Sequence, residues 1–378
     1  MASIYIHIPF CKQKCHYCNF FTTVSLKNRE FLIQSIITEI SQKANYLKGD
    51  IVDSIYFGGG TPSLLTVSEL KSILETCSSV HHISDDCEIT LEANPDDISH
   101  ESLLNFKLLG INRLSIGIQS FNDDILQKLN RIHTAKEALD CIYLAKSYGF
   151  NNMNIDLIYG IPGLEMELWK KELQLFFSLD IPHLSAYFLT VEPKTALAVL
   201  IKKNKYPLPV EEEGLAHFEV LTEFMKSEGY LHYEISNFSK PNQLSRHNSN
   251  YWKHLPYVGI GPSAHSFNLV SRQWNVGSIS KYIDNINSEI TYSGIEFLSE
   301  EERYNEYVML GLRTSWGIDL NWLENNVGIK FKNYLLDRIE NSKFQSYLVF
   351  NNNSIILSPD GKKLADGIAS DLFIDINI

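Results

Sequence analysis

The sequence predicts an α/β chain: an incomplete (β/α)6 TIM-like barrel followed by a C-terminal α+β winged-helix-like module. Three observations predict it. Through the first two-thirds, short β-branched or aromatic runs alternate with helical patterns, the signature of βα units laid on a parallel sheet. Glycine-rich and polar motifs recur at the carboxyl ends of those runs, where a barrel gathers its ligands. From residue 298 the pattern changes to helices and one hairpin.

The strands are expected at 3–8, 54–57, 88–92, 113–118, 154–159 and 184–189, with helices near 27–46, 67–77, 99–109, 123–129, 135–148 and 165–179. Residues 1–229 then hold the barrel and one following helix, whose acidic Glu211-Glu212-Glu213 start suits the helix dipole. Residues 230–297 read as an irregular segment with short strands that closes the barrel mouth. In 298–378, Ser299-Glu300-Glu301-Glu302 is a capping box, further helices fall near 320–325 and 331–339, and a hairpin turns at Asn351-Asn352-Asn353 before a last helix. A winged shape invites a DNA-binding reading, but no arginine-rich recognition helix is present, which favours a packing, lid or partner-docking role.

Composition narrows the function. The chain has 378 residues, 44% hydrophobic and 21% charged, with a net charge of −12, so a broad nucleic-acid or anionic-membrane footprint is not expected. Six cysteines, three of them in one loop, fit a reducing compartment. No stretch approaches transmembrane length, and His7 and Pro9 interrupt the apolar start, so a soluble cytoplasmic protein is expected.

The first strand runs into Cys11-x-x-x-Cys15-x-x-Cys18. Soft thiolates on one short loop can each hold one corner of a [4Fe-4S] cluster, leaving the fourth iron open to chelate S-adenosylmethionine. Zinc is the competing occupant. It usually takes four ligands, and His16 sits inside the loop, so spacing alone leaves that alternative open. Later strands end in Gly58-Gly59-Gly60-Thr61-Pro62, Leu91-Glu92-Ala93-Asn94-Pro95, Gly117-Ile118-Gln119-Ser120-Phe121 and Asp156-Leu157-Ile158-Tyr159-Gly160-Ile161-Pro162, and Arg131 follows the fourth helix. Glycines let backbone amides approach a ligand, and carboxylates at strand ends can accept from ribose hydroxyls.

Taken together, these motifs resemble the radical S-adenosylmethionine (radical SAM) coproporphyrinogen III oxidase-like family (HemN/HemW) over nearly the whole chain. The resemblance implies a radical SAM barrel with Cys11, Cys15 and Cys18 on the cluster, and Tyr5, Tyr17, Gly59, Gly60, Thr61, Glu92, Gln119, Arg131 and Asp156 at S-adenosylmethionine. Arg131 can pair with the methionine carboxylate.

The family has a decarboxylating branch and a haem-chaperone branch. The first carries a further cysteine two positions after the third, where this sequence has Phe20, and an N-terminal extension ahead of the first strand, before which this sequence has only two residues. The second carries His-Asn-x-x-Tyr-Trp, matched by His247, Asn248, Tyr251 and Trp252. The resemblance therefore favours a chaperone that carries haem to haem-requiring membrane or respiratory proteins over a catalyst, with an oxygen-independent coproporphyrinogen III oxidase or an unrelated radical SAM modification as alternatives. A cluster-dependent homodimer is also implied. His247 is either an axial iron ligand, with Tyr251 and Trp252 against the porphyrin face, or a structural histidine among packed aromatics. His265 is a second, weaker haem candidate.

Overall fold

The computed structural model describes residues 1–288 and 293–375. Residues 289–292 of the predicted 230–297 segment and the last three of the predicted 298–378 module lie outside the described residues.

Six strands, β1 (Ala2–Ile8), β2 (Val52–Gly59), β3 (Ile83–Ala93), β4 (Arg113–Gln119), β5 (Met153–Tyr159) and β6 (His183–Phe188), lie parallel in chain order. Between them run α1 (Arg29–Gln42), α2 (Val67–Val80), α3 (His100–Leu108), α4 (Asp123–Lys128), α5 (Ala135–Ser147) and α6 (Met166–Ser178). This is the incomplete parallel barrel that the alternation predicted. Thr66 with Glu69 and Thr134 with Glu137 form capping boxes that start α2 and α5, each cap contributing about 1 kcal/mol.

The strands have two unlike faces, because side chains alternate along a strand. On one face Ile4, Ile6, Ile8, Phe57, Leu91, Leu114, Ile116, Ile155, Leu157 and Leu184 join the main hydrophobic core beneath the helices. The other face is polar and is stitched across neighbouring strands: Ser54 Oγ to Ser3 Oγ at 2.9 Å, Tyr56 Oη to Glu92 Oε1 at 2.8 Å, Asn154 Nδ2 to Ser115 Oγ at 2.8 Å, and His183 Nδ1 with Asn154 Oδ1 at 2.6 Å. Hydrogen-bonded polar groups of this kind are what a lumen can bury without penalty.

After α7 (Ala196–Lys202) and α8 (Glu211–Ser227), the chain adds strands to both edges of the sheet. β7 (Leu231–Glu234) and β8 (Asn237–Ser239) continue it antiparallel beyond β6, while β9 (Tyr257–Ile260) pairs parallel with β1 and leads into β10 (His265–Phe267), β11 (Ser271–Asn275) and β12 (Ser293–Phe297). Two helices, α9 (Arg246–Trp252) and α10 (Ile279–Asn287), interrupt them. Within the 230–297 segment, expected to close the barrel mouth, α9 lies at the opposite end. Asn250 Nδ2 donates to Ser3 Oγ (2.9 Å) and Asp53 Oδ1 (2.8 Å), and the amides of Arg246 and His247 donate to the Glu88 carboxylate. These partners lie toward the amino-terminal ends of β1 to β3, so α9 plugs the barrel from below; the polar groups there draw it in.

The final module has its own core, built on Tyr304, Leu312, Leu323, Phe331, Leu335 and Ile355. It comprises α11 (Glu300–Leu312), β13 (Ile318–Asp319), α12 (Leu320–Asn326), α13 (Ile329–Glu340), β14 (Leu348–Asn351), β15 (Ser354–Leu357) and α14 (Ala365–Asp371), with a small antiparallel sheet in the order β13-β15-β14. Arg313 fastens it to the barrel through Glu234 Oε1 (3.1 Å), a carboxylate 1% exposed.

Candidate functional site

The cysteine loop leaves β1 and is pinned on both sides. Cys11 N donates to Thr23 O (2.9 Å), His16 N to Leu129 O (3.2 Å), Gln13 Nε2 to Asn130 O (2.9 Å), and Asn130 Nδ2 to Lys14 O (2.9 Å). Lys12 adds ion pairs to Asp96 (2.7 Å) and Asp97 (2.5 Å). So held, Cys11, Cys15 and Cys18 all line one cavity of about 420 Å³ at the carboxyl ends of the strands.

The donor set fits a cubane rather than a single ion. Its three thiols come from one short loop and line one cavity, and a cluster takes one thiolate on each of three separated irons. His16 does not join them; its Nδ1 lies 3.2 Å from Lys128 O, and it does not line the cavity. Burial, reinforced by the neighbouring thiols, pushes the Cys11 thiol up to about 11 despite the Thr61 hydroxyl 3.6 Å from its sulfur. Burial also raises Cys18. Such thiols need the positive charge of iron to stand ionised together.

The same cavity collects Tyr17, Gly59, Gly60, Thr61, Glu92, Gln119, Arg131 and Asp156. The glycine turn is dictated by crowding: Gly59 has φ +110°, and a Cβ on Gly60 would stand 2.6 Å from Phe10 O. Gly60 N donates to Ile8 O and Thr61 N to Phe10 O, which ties this turn to the root of the cysteine loop. Arg131 is fixed by three partners: Asn94 Oδ1 (2.6 Å), Gly117 O (2.6 Å) and Cys15 Sγ (3.3 Å). Gln119 ends β4 at φ 71°, where the β4–β5 register shifts. The loop after it is held by Glu172, which accepts from Ser120 Oγ and Phe121 N.

Two carboxyls in the cavity titrate unusually. Burial pushes Glu92 up to about 7, against the donors Tyr56 Oη and Gly59 N, and pushes Asp156 up to about 6, against Asn154 and Ser185. In a desolvated pocket these groups suit hydroxyl donors of a bound nucleoside.

Tyr5 is the member of the expected set that does not line this cavity. Its hydroxyl meets His7 Nδ1 at 3.1 Å, and its ring stacks with Tyr56 inside the barrel at 6.2 Å. Conversely, sequence reasoning passed over Ser115 and Tyr187 and gave Asn94 no role of its own beyond its motif, though all three line it. Their signal was available: Ser115, Gly117 and Gln119 repeat with period two on β4, and Asn94 follows Glu92 by two.

The His247 motif is placed elsewhere. His247 is 1% exposed, with Nδ1 at 3.0 Å from Ser54 Oγ and Nε2 at 2.9 Å from Tyr251 Oη. Burial, with Arg113 nearby, lowers it to about 3, so the ring is neutral. The expected axial ligand thus has both ring nitrogens engaged, because the helix that carries it serves as the barrel's floor. Trp252 instead lies under the Arg313 guanidinium, 5.5 Å from its carbon, while Asn248 N is taken by the helix cap at Ser245. His265 is exposed on β10, opposite Trp274, and lines neither large cavity.

Comparison with known proteins gives the same outline. The Radical SAM superfamily profile matches residues 5–176 and the HemN C-terminal domain profile matches 298–364. The chain is 34% identical to the haem chaperone HemW of Bacillus subtilis (strain 168) over 97% of this chain and 98% of that one. It is 31% identical to the HemW of Lactococcus lactis subsp. lactis over 99% and 97%, and 36% identical to that of Escherichia coli (strain K12) over 70% and 69%. Among solved structures it matches E. coli coproporphyrinogen III oxidase (HemN), a radical SAM enzyme, with TM-score 0.84, covering 98% of this chain and 90% of that one. At 21% identity that likeness shows the fold.

Proposed function

The chain belongs to the HemW family of radical SAM proteins, and from that premise we propose that it is a haem chaperone, binding haem as cargo and delivering it to haem-requiring respiratory proteins. The observation that carries the reading is the match along essentially the whole length, barrel and C-terminal module alike, to relatives named for that function. Phe20 at the cavity rim, where the decarboxylating branch has a cysteine, supports it. Among the described residues no helix is long and apolar enough to cross a membrane; on this reading the chain works in the cytoplasm and meets a membrane acceptor through protein contact.

Cys11, Cys15 and Cys18 would hold the [4Fe-4S] cluster, with S-adenosylmethionine beside it. Together that pair supplies one-electron reduction of a sulfonium. The chain's own part is positional. Arg131, locked by Asn94 and Gly117, presents its guanidinium beside Cys15 for a carboxylate; Glu92 and Asp156 offer acceptors for hydroxyls; Tyr17 gives an aromatic wall; the Gly59 and Gly60 backbone allows close approach. Regulation of haem loading or transfer by this site, and pairing of two chains once it is filled, follow on the same reading.

The test is an anaerobic haem titration of reconstituted protein, followed by absorbance, with coproporphyrinogen III turnover measured on the same sample. A saturable Soret change without turnover is expected. Turnover without stable haem binding would replace this reading with that of the oxidase.

A further inference from the structure

Helix α4 ends in a Schellman turn that aims two side chains at one spot. Asn130 stands at φ 60°, its amide donates to Gln127 O (3.0 Å), and the amide of Arg131 donates to Leu126 O (2.9 Å). Beyond the turn Ile132 is left exposed, while His133 is buried at 3%. Arg131 and His133 both line a small cavity of about 20 Å³ beside the cluster cavity, whose other walls include Cys15, Asn94 and Asp96.

The two residues bring complementary unspent groups to it. Arg131 has five N–H donors. Nη2 gives one to Asn94 Oδ1 and one to Gly117 O, and Nη1 gives one to Cys15 Sγ. Its buried Nε has no partner among the described residues. His133 Nε2 lies 3.0 Å from Ile118 O. A carbonyl only accepts, so Nε2 carries the proton. Burial, with the Arg131 charge beside it, lowers His133 to about 4, so the ring is neutral and Nδ1 is an acceptor. Nδ1 too is buried with no partner among the described residues. Ordered water is the usual remedy for such a pair, and one molecule needs about 10–15 Å³ and two to four polar partners.

We propose that one ordered water occupies this small cavity, accepting from Arg131 Nε and donating to His133 Nδ1, and that His133 acts through it as a positioning residue for Arg131. The second water proton is offered to the Asp96 carboxylate on the same wall. Four of the five guanidinium N–H groups are then committed, and the one left is on Nη1, beside Cys15. This decides which edge of Arg131 meets the carboxylate of S-adenosylmethionine, and it steadies the N–H that points at the Cys15 sulfur. The proposal rests on the cluster and S-adenosylmethionine site described above and is independent of the haem cargo.

The test compares wild type, His133→Gln and His133→Asn as reconstituted full chains. Glutamine sets an amide nitrogen where Nε2 stands, so it keeps the bond to Ile118 O and deletes the Nδ1 acceptor. Asparagine does the reverse, setting an amide oxygen near the Nδ1 position. Three quantities are read: bound iron, S-adenosylmethionine affinity by anaerobic equilibrium dialysis, and the cluster midpoint potential by a redox titration followed with electron paramagnetic resonance. His133→Gln should weaken S-adenosylmethionine about tenfold, the effect of one hydrogen bond to a charged group. It should also move the midpoint negative, as the N–H to sulfur loosens. His133→Asn should restore both toward wild type, with iron content unchanged in either variant. Loss at His133→Asn with His133→Gln intact would make His133 an anchor for Ile118 alone and overturn the bridge. Equal loss in both, or loss in neither, overturns it as well. Wild type that takes up its cluster but binds no S-adenosylmethionine overturns the site together with the bridge. Should neither variant hold iron, a high-resolution crystal structure of the wild type decides: an ordered oxygen within hydrogen-bond distance of both nitrogens supports the bridge, and none there overturns it.

Discussion

The Tyr56 hydroxyl donates a 2.8 Å hydrogen bond to Glu92 Oε1. The other face of the relationship lies below: the Tyr56 ring stacks on His247, centroids 4.9 Å apart at 28°. One side chain in the lumen therefore links a carboxylate of the upper cavity to the helix that floors the barrel.

Tyr56→Phe keeps the stack and deletes the donor. Glu92 then loses its lumen partner and retains Gly59 N at 3.2 Å. S-adenosylmethionine affinity of the reconstituted protein should fall about tenfold, the effect of one hydrogen bond to a charged group. Equilibrium dialysis measures it; unchanged affinity would mean that Tyr56 does not orient Glu92.

Glu92 also predicts a pH dependence. Its folded pKa is about 7 against an ordinary 4.5, so the folded chain holds this proton more tightly than the unfolded one. The stability it contributes is complete below about 4.5 and is lost as pH rises through 7. Glu92→Gln, permanently neutral, should gain on wild type across that window and level off above it, by up to about 3 kcal/mol. Denaturant melts of the cluster-free chain at pH 5 and pH 8 check this; a gap independent of pH contradicts it.

His247→Ala should behave as a core lesion. It removes the partner of Ser54 and Tyr251 and opens a cavity under Tyr56, a change that costs about 2–4 kcal/mol. The expected result is a lower melting temperature with haem stoichiometry retained in the folded fraction. Haem loss without destabilisation would restore the axial-ligand role.

Cys11→Ala, Cys15→Ala and Cys18→Ala should each abolish cluster reconstitution, as read by bound iron and sulfide, whereas His16→Ala should leave it intact. Loss at His16→Ala would return zinc or a fourth protein ligand to consideration, because His16 Nδ1 now faces Lys128 O and not the cavity.

Arg313→Ala should loosen the C-terminal module. Glu234, 1% exposed, would be left as a buried carboxylate without its guanidinium, a loss of about 3–5 kcal/mol for a broken buried pair. Limited proteolysis near residue 298 should accelerate; an unchanged digestion rate would mean that the two cores hold together without this contact.

The sequence by itself determined the six parallel strands and the cysteine loop, because these are local patterns, whereas the residues expected at S-adenosylmethionine came from the family resemblance. Alternation reports two faces of a strand, glycines report a crowded turn, and three closely spaced thiols must share a loop. Eight of the nine residues expected at S-adenosylmethionine line one cavity with the cysteines. Tertiary structure decided what depends on distant partners. Nothing near Tyr5 in the chain tells that its ring belongs to the lumen with Tyr56 and His247. Nothing around His247 tells that Ser54, nearly two hundred residues away, takes one of its nitrogens. The strands β7 to β12 are too short to carry a period, and their place is set by the free sheet edges of β1 and β6. The seam between the two separately cored units is likewise made by partners far apart in the chain, Arg313 with Glu234 among them, and a hydrophobic pattern records burial without recording against what.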